Sequence, residues 1–203
     1  MKHLDVKAFA KLYKSVVPND LCDKTVSEMK TLDFKEHTFY NANTNEYKPR
    51  SGSQELSMSW GNVSTKNDLN KLVDDTAFRY VKELKMPWFD KYQGYSHVRF
   101  NKYAENKKMA LHADHIHSMF DGERKGIPIL SVLGVLNDDY EGGEFVLIDE
   151  KINLSKGDII VFPSNFMYPH KVEPVTKGTR YSYISWIWSV SYTHLTLPTN
   201  SSV

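Results

Sequence analysis

The stretch KGDIIVFPSNFMYPHKVEPVTKGTRYSYISWI, residues 156–187, contains two strand-like runs and the turn signal KGD at 156–158. The run DIIVF is apolar, and the run RYSYISWIW, residues 180–188, can place alternate side chains on opposite faces of an extended chain. Upstream runs of the same kind are SHVRFNKY, IPILSVLGVL and EFVLI, with a further turn signal, EGG, at 141–143. We therefore predict antiparallel strands from Tyr95 onward, arranged as a sandwich or jelly roll.

The first half of the chain has helical periodicity instead. Residues 66–84 carry an apolar stripe, and two shorter helices are predicted, one between Asp5 and Pro18 and one just after Pro18. Residues 40–65 are rich in Asn, Ser, Gly and Thr, which predicts an irregular excursion or short strands. Helices followed by strands predict an α+β fold, with the N-terminal helices packed on one sheet.

Length and composition limit the domain organisation and the kinds of partner. From 203 residues we predict a single domain over 1–190, with a helical support region, 1–94, and a jelly-roll core, 95–190. The polar tail 191–203 resembles translated cloning or adapter sequence more than the end of a domain. The 26 basic and 25 acidic residues lie interspersed, which disfavours nucleic acid as a partner.

Cysteine content and the apolar runs bear on the cellular compartment. The single cysteine, Cys22, excludes an internal disulfide framework and thiolate-rich metal sites, and it fits a reducing compartment. The N-terminus has no apolar signal-peptide core, and the longest apolar run, IPILSVLGVL, is too short to span a membrane. We expect a cytoplasmic protein with no membrane partner, and the sequence leaves its oligomeric state open.

The segment LHADHIHSMF, residues 111–120, is the richest in metal-binding side chains. His112 and Asp114 are separated by one residue, so on an extended chain they project from the same face and can bind one ion. His170, which follows the strand DIIVF, can supply a third ligand from another strand of the same sheet. Two imidazoles and one carboxylate with open coordination positions form the facial triad of non-heme Fe(II) oxygenases.

Arg180 begins the run RYSYISWIW, and the period of two places it on the same face as Ser182 and Trp186. A guanidinium with a neighbouring hydroxyl makes a bidentate anchor for a carboxylate, and arginine stays charged at any working pH. The pair suits a dicarboxylate co-substrate that chelates the metal with one end and reaches Arg180 with the other.

Along the chain, the motifs are Tyr103, H-A-D at 112–114, LNDDYEGGEF at 136–145 and the stretch 156–187. Over about residues 95–188 this order resembles the prolyl and lysyl hydroxylase branch of the 2-oxoglutarate/Fe(II) dioxygenases. The resemblance implies a double-stranded β-helix, the cupin-like form of the jelly roll.

The resemblance also implies roles for individual residues. His112, Asp114 and His170 would ligate iron, and Arg180 would anchor the C5 carboxylate of 2-oxoglutarate. Some relatives have a tyrosine where Val135 stands, so either Ser182 replaces its hydroxyl here or the anchor is weaker. The further cofactor-binding residues that the resemblance implies are Tyr103, Ser182 and Trp186.

The activity implied is that of a dioxygenase that uses Fe(II), 2-oxoglutarate and O2 to hydroxylate an unactivated C–H bond. Succinate and CO2 are the expected co-products, and ascorbate is expected to support turnover. The expected substrate is a prolyl or lysyl residue in a peptide or protein, with a free amino acid as the next alternative. A nucleobase demethylase is disfavoured by the balanced charge. A non-catalytic metal-binding jelly-roll sensor is disfavoured by Arg180, because a structural ion needs no distant carboxylate anchor.

Substrate contacts are expected in the irregular segments 40–65 and 115–126, because specificity in such folds comes from loops around a rigid barrel. His115 and His117 lie in the second of these segments. We predict that both are solvated or face substrate, and that neither ligates the metal.

Overall fold

The computed structural model describes residues 5–41, 46–48, 54–87, 89, 92, 94–114 and 128–188. A 3-10 turn, Val6–Phe9, comes first. The elements that follow, in chain order, are β1 Lys11–Tyr13, α1 Asn19–Met29, β2 Lys35–Glu36, β3 Phe39–Asn41, β4 Glu46–Lys48, β5 Ser57–Ser59, α2 Lys66–Leu84, β6 Arg99–Tyr103, β7 Met109–His112, β8 Pro128–Val135, β9 Glu141–Gly142, β10 Phe145–Leu147, β11 Glu150–Ile152, β12 Ile159–Pro163, β13 His170–Val172, β14 Val175–Lys177 and β15 Arg180–Trp188.

Two antiparallel sheets form the body of the molecule. The larger sheet has the strand order β1-β12-β8-β15-β6-β5-β2, and the smaller sheet has the order β11-β10-β13-β7. Two short two-stranded sheets, β14-β9 and β3-β4, lie outside them. Apart from β10 and β11, neighbouring strands in both sheets are separated along the sequence by other elements, which is the crossing order of a jelly roll and agrees with the predicted architecture.

The side chains of the larger sheet divide between two cores. On β12, Ile159 and Val161 pack in the core that contains the helices, whereas Ile160 and Phe162 pack in a second core with residues of the smaller sheet. The alternation follows from the two-residue period of a strand that is covered on both faces. The larger sheet is therefore the middle layer, with helices on one side and the smaller sheet on the other.

Helix α2 begins and ends where the periodicity predicted. Leu69, Val73, Ala77 and Tyr80 are fully buried along its apolar stripe, and the Tyr80 hydroxyl donates to the carbonyl of Phe9 at 2.6 Å. Burial of such a stripe is the main source of helix stability in a folded protein. The helix thus supports the larger sheet from the face opposite the smaller sheet.

The segment between Asp5 and Pro18 is not the helix that was predicted. Asp5 does cap a turn, since its carboxylate accepts the Lys7 N–H at 3.0 Å, but the chain then enters β1 and pairs with β12. Leu12 and Tyr13 pack in different cores. Apolar residues at three- and four-residue spacing can also cover both faces of a short strand, and here pairing with the sheet decided the outcome.

The region 1–94 is therefore less helical than predicted, because β1, β2 and β5 belong to the larger sheet. Short strands do occur within 40–65, although 42–45 and 49–53 lie outside the described residues. The domain boundaries stay a prediction, and the tail 191–203 also lies outside the described residues. In the described part of the chain, neither helix combines the length and apolar character that a membrane crossing requires.

Gly134 allows β8 and β15 to pair closely in the centre of the larger sheet. It lies opposite Tyr183 in the register of the two strands. A Cβ atom at this position would collide with the Tyr183 ring and hydroxyl. The glycine therefore makes room for a fully buried tyrosine beneath the helices.

Candidate active site

Strands β7 and β13 bring the two predicted histidine ligands together. His112 ends β7, His170 begins β13, and the two are directly paired in the smaller sheet. Paired residues on adjacent strands project from the same face of a sheet, and the two imidazole rings lie 4.3 Å apart, centroid to centroid. Pairing across the sheet thus joins residues that are far apart in sequence.

Asp114 completes a cluster of three. Its Oδ1 lies 3.5 Å from His112 Nε2 and 3.8 Å from His170 Nε2. The candidate ligand atoms of the three residues all lie within 4.8 Å of one another. One ion at coordination distance could contact all three, so the structure brings the predicted triad together.

Backbone carbonyl groups orient both imidazoles. His112 Nδ1 lies 2.8 Å from the carbonyl oxygen of Ala110, and His170 Nδ1 lies 3.1 Å from that of Tyr168. A carbonyl oxygen can only accept, so in each neutral ring Nδ1 carries the hydrogen and Nε2 has a free lone pair. Metal-binding histidines usually have their other nitrogen held in this way.

The second carboxylate oxygen of Asp114 is held by two donors. Ser131 Oγ donates to Oδ2 at 2.5 Å, and Trp186 Nε1 donates to the same oxygen at 3.0 Å. Ser131 Oγ also lies 2.6 Å from Ser164 Oγ, so Ser164 can donate to Ser131 in turn. These contacts leave Oδ1 facing the histidines.

The protonation states of the cluster favour metal binding. Burial alone would raise the pKa of Asp114, but His112, His170 and the Ser131 hydroxyl outweigh it and hold this pKa well below its usual value. Burial lowers the pKa of His170. An ionised carboxylate beside a neutral imidazole is the state in which these ligands bind a metal. The donor set, two nitrogens and one oxygen, therefore fits Fe(II).

Arg180 is a buried cation near this cluster. Its side chain is 1% exposed, its Nη1 donates to Ser182 Oγ at 3.1 Å, and its guanidinium lies 5.0 Å from the centroid of the Tyr103 ring. Among the described residues, its Nε has no hydrogen-bond partner and no carboxylate forms an ion pair with it. A buried charge without a partner is costly, so the arrangement fits an anionic ligand.

Two cavities share Phe145 in their linings. The first is lined by the three clustered residues and by Tyr103, and the second is lined by Arg180 and the β9–β10 region. A ligand that contacts the metal cluster at one end and Arg180 at the other would therefore pass beside Tyr103 and Phe145.

Val135 stands at the position where some relatives have a tyrosine. Val135 is paired with Ser182 across β8 and β15, and both are fully buried. The Ser182 hydroxyl therefore lies next to the place that a tyrosine would occupy. That geometry favours the interpretation in which Ser182 supplies the hydroxyl.

Sequence reasoning missed two residues of the site. Ser131 lies inside the apolar run IPILSVLGVL, where its alternation with Leu133 and Val135 was the available signal. Arg99 lines the same cavity as the cluster, on the strand that also carries Tyr103. His115, His117 and the segment 115–126 lie outside the described residues, so the predictions for them stay predictions.

Comparison with known families agrees with this geometry. The family model of the 2OG-Fe(II) oxygenase superfamily matches residues 98–188, which include the whole cluster and Arg180. This segment belongs to the 2OG-Fe(II) oxygenase superfamily. The predicted cofactors, Fe(II), 2-oxoglutarate and O2, are those of the superfamily, so the predicted resemblance to the 2-oxoglutarate/Fe(II) dioxygenases is confirmed.

Curated relatives of this 2OG-Fe(II) oxygenase segment are PKHD-type hydroxylases. The protein from Idiomarina loihiensis is 30% identical over 142 residues, which cover 68% of this chain and 59% of the relative. The protein from Alteromonas mediterranea is 35% identical over 99 residues, which cover 45% of this chain and 42% of the relative. The chain thus spans about half the length of the curated relatives that it matches.

Solved structures confirm the double-stranded β-helix. The viral collagen prolyl hydroxylase of Paramecium Bursaria Chlorella virus-1 superposes with a TM-score of 0.66 at 16% identity, covering 90% of this chain and 97% of that one. The prolyl-4-hydroxylase of Pseudomonas putida gives a TM-score of 0.66 at 17% identity, covering 91% and 96%. At these identities the likeness concerns the fold.

Proposed function

We propose that the protein is an Fe(II)- and 2-oxoglutarate-dependent hydroxylase. In this proposal His112, Asp114 and His170 ligate the metal, and Arg180 with Ser182 holds the distal carboxylate of 2-oxoglutarate. Tyr103 forms a wall of the co-substrate pocket. When bound, iron and 2-oxoglutarate supply the oxidising power that inserts one oxygen atom of O2 into a C–H bond, with succinate and CO2 as co-products.

One observation carries the proposal: three metal-ligating groups converge in a cavity next to a buried guanidinium that has no acidic partner among the described residues. A structural metal site would use the cluster alone and would gain nothing from a buried, unpaired cation. A dicarboxylate that reaches from the metal cluster to Arg180 would bind the metal with one end and give Arg180 a charge-assisted contact with the other.

The protein groups have separate tasks in this site. The Ala110 and Tyr168 carbonyls keep each histidine Nε2 free to bind the metal, and Ser131 and Trp186 restrict Asp114 to binding through Oδ1. Because only three protein ligands are used, coordination positions stay open for co-substrate and O2. Arg180 fixes the orientation of the co-substrate at a distance from the metal.

For the substrate we propose a prolyl residue in a peptide or protein, with a lysyl residue or a free amino acid as alternatives. The names of the curated relatives support a hydroxylase, and those of the solved prolyl hydroxylases that share the fold support the prolyl residue. A prolyl hydroxylase from Trichoplax adhaerens, solved with a peptide fragment bound, also shares the fold with a TM-score of 0.64 at 14% identity. The fold alone does not choose between these substrates.

The proposal is tested by incubating the protein with Fe(II), 2-oxoglutarate, ascorbate and O2, with and without proline- and lysine-containing peptides or the free amino acids. We expect formation of succinate and a mass increase of one oxygen atom on a substrate. Asp114→Ala should abolish both, whereas the exposed Asp33→Ala should retain them. Tight metal binding without any succinate would instead support the sensor.

A further inference from the structure

Arg99 brings a second guanidinium to the active-site cavity. It begins β6 and lines the cavity together with His112, Asp114 and His170. In the register of β6 and β15, Arg99 lies opposite Ile184, whereas Tyr103 lies opposite Arg180. Four residues along a strand correspond to about 13 Å. The backbone positions of the two arginines therefore lie toward opposite ends of one inner face.

Two neighbours hold Arg99 in place. Its Nε donates to Asn101 Oδ1 at 3.2 Å, and its guanidinium lies 5.1 Å from the centroid of the Trp186 ring. Stacking on an aromatic face restricts a guanidinium without using its terminal nitrogens. In the described part of the chain, Nη1 and Nη2 of Arg99 form no hydrogen bond and no ion pair.

A comparison with another arginine supports this reading of Arg99. Arg79 on α2 pairs with Glu83 at 2.8 Å on the surface. Arg99 is half-buried and pairs with no carboxylate among the described residues. Burial lowers the pKa of Arg99, whereas Tyr103 and Asp114 act to raise it. A guanidinium remains charged even so. The cavity therefore contains a positive charge that Asn101 and Trp186 hold in place. Its terminal nitrogens form no ion pair with a carboxylate of the described residues.

The charges of the loaded site balance as a sum, but Arg99 has no direct partner. Two positive charges of Fe(II) and one of Arg180 are matched by Asp114 and the two carboxylates of 2-oxoglutarate. The buried Glu55 equals Arg99 in charge, but its carboxylate accepts the Ala110 N–H at 3.1 Å, and among the described residues it forms no ion pair with Arg99. An anion next to Arg99 would give its guanidinium the direct contact that the described residues do not supply.

We propose that Arg99 binds a carboxylate of the substrate and thereby positions the C–H bond that reacts. This inference rests on the proposed function, because it places a substrate next to the metal cluster. It selects substrates that carry a carboxylate near the reacting carbon. Two sources have this chemistry: the α-carboxylate of a free amino acid or C-terminal residue, and the side chain of an acidic residue next to the target residue in a peptide.

The test uses probe pairs that differ in one carboxylate. The pairs are L-proline and L-prolinamide, L-lysine and L-lysinamide, N-acetyl-Gly-Pro as acid and as amide, and N-acetyl-Pro-Glu-amide and N-acetyl-Pro-Gln-amide. Binding to the protein loaded with Mn(II) and 2-oxoglutarate is measured by calorimetry, and hydroxylation of the same probes with Fe(II) is measured by mass spectrometry. The first three pairs report an α-carboxylate, and the last reports an acidic neighbour.

Arg99→Gln removes the charge and keeps a similar shape, and Arg79→Gln is the matched surface control. Since losing a charge-assisted contact costs roughly 1.5 to 3 kcal/mol, we expect the wild type to prefer the acid of at least one pair by about ten- to hundredfold. Arg99→Gln should remove that preference, mainly by weakening the acid, and Arg79→Gln should keep it. Arg99→Lys should retain part of it.

The outcomes separate this inference from the proposed function. An acid preference that survives in Arg99→Gln, or equal use of acid and amide in every pair by the wild type, overturns the role of Arg99. If Arg99→Gln weakens Mn(II) binding as much as it weakens the acid, Arg99 acts through Trp186 and Asp114, and the role is also overturned. Failure of the wild type to bind Mn(II) and 2-oxoglutarate would contradict the proposed function itself.

Discussion

Ser131 and Trp186 lie directly opposite each other on β8 and β15, and both donate a hydrogen bond to the same oxygen of Asp114. A cross-strand pair in the larger sheet therefore orients a carboxylate that comes from the end of the smaller sheet. These two hydrogen bonds fix the position of the Asp114 carboxylate relative to the larger sheet. Partners of this kind keep a ligand in a single orientation before the metal arrives.

Trp186→Phe should weaken metal binding without unfolding the protein. The substitution keeps most of the ring and removes the donor to Asp114 Oδ2, so the carboxylate can rotate. Loss of such an outer contact typically costs about ten- to hundredfold in metal affinity. Calorimetric titration with Mn(II) measures the effect, and Trp60→Phe, on the surface, is the control. Unchanged affinity in Trp186→Phe would show that the hydrogen bond does not orient Asp114.

Ser131→Ala removes the other donor to the same oxygen. We expect a similar loss of Mn(II) affinity, and we expect the double variant with Trp186→Phe to lose less than the two single losses combined. The reason is that both donors are needed to fix the carboxylate, so once one is lost the other holds Asp114 less well and its removal costs less. Strict additivity of the two free-energy changes would mean that Ser131 and Trp186 act independently.

Arg180→Gln should separate co-substrate binding from metal binding. The buried guanidinium is replaced by a neutral amide, and a lost charge-assisted contact corresponds to about a ten- to hundredfold weaker affinity for 2-oxoglutarate. Mn(II) affinity measured without 2-oxoglutarate should stay within about twofold of the wild type. Equal 2-oxoglutarate affinity in Arg180→Gln and in the surface variant Arg79→Gln would exclude Arg180 as the anchor.

Gly134→Ala should destabilise the fold without touching the active site. The new methyl group would collide with Tyr183, and overpacking of a rigid core costs about 1 to 3 kcal/mol. Thermal unfolding followed by circular dichroism gives the loss. In a Tyr183→Leu background the ring that collides with the new methyl group is absent, so Gly134→Ala should lower the Tm less there than it does in the wild type. A Tm equal to that of the wild type would contradict the close packing at this pair.

Asp158 should make stability depend on acid pH. Burial alone would raise the pKa of Asp158, but hydrogen bonds from Lys14 and from the Ser155 and Ser15 N–H groups prevail and lower it. The carboxylate therefore contributes stability above its unfolded pKa of about 3.9, and this contribution is lost as pH falls through the lower folded pKa.

Asp158→Asn should accordingly reduce the free energy of unfolding at pH 7 and lose this effect toward pH 3. Urea unfolding at a series of pH values gives the difference from the wild type, and Asp33→Asn, an exposed aspartate, is the control. A difference that is constant from pH 7 to pH 3 would show that the charge of Asp158 does not stabilise the fold.

The parts of the fold predicted from sequence are those with long or repeated patterns. Helix α2 has an apolar stripe over its whole length, and β15 alternates over nine residues, so burial and local propensity agree. β1 was predicted as helix because three residues carry too little periodicity to distinguish the two structures. Its pairing with β12 depends on residues far along the chain, which the local pattern does not contain.

The candidate site divides in the same way. His112, Asp114 and His170 were predictable because their residue types are uncommon together and their spacing suits extended chain. Trp186 was expected beside the co-substrate, yet its indole N–H contacts the metal-ligand carboxylate. The roles of Ser131 and Arg99 depend on which strand lies opposite and which face is inward, and the residue types alone do not specify that.

The most direct test of the central claim is an anaerobic crystal structure with Mn(II) and 2-oxoglutarate. The account predicts one metal ion bonded to His112 Nε2, His170 Nε2 and Asp114 Oδ1, with the distal carboxylate of 2-oxoglutarate on Arg180. A metal bound elsewhere, or a 2-oxoglutarate carboxylate that does not contact Arg180, would contradict it.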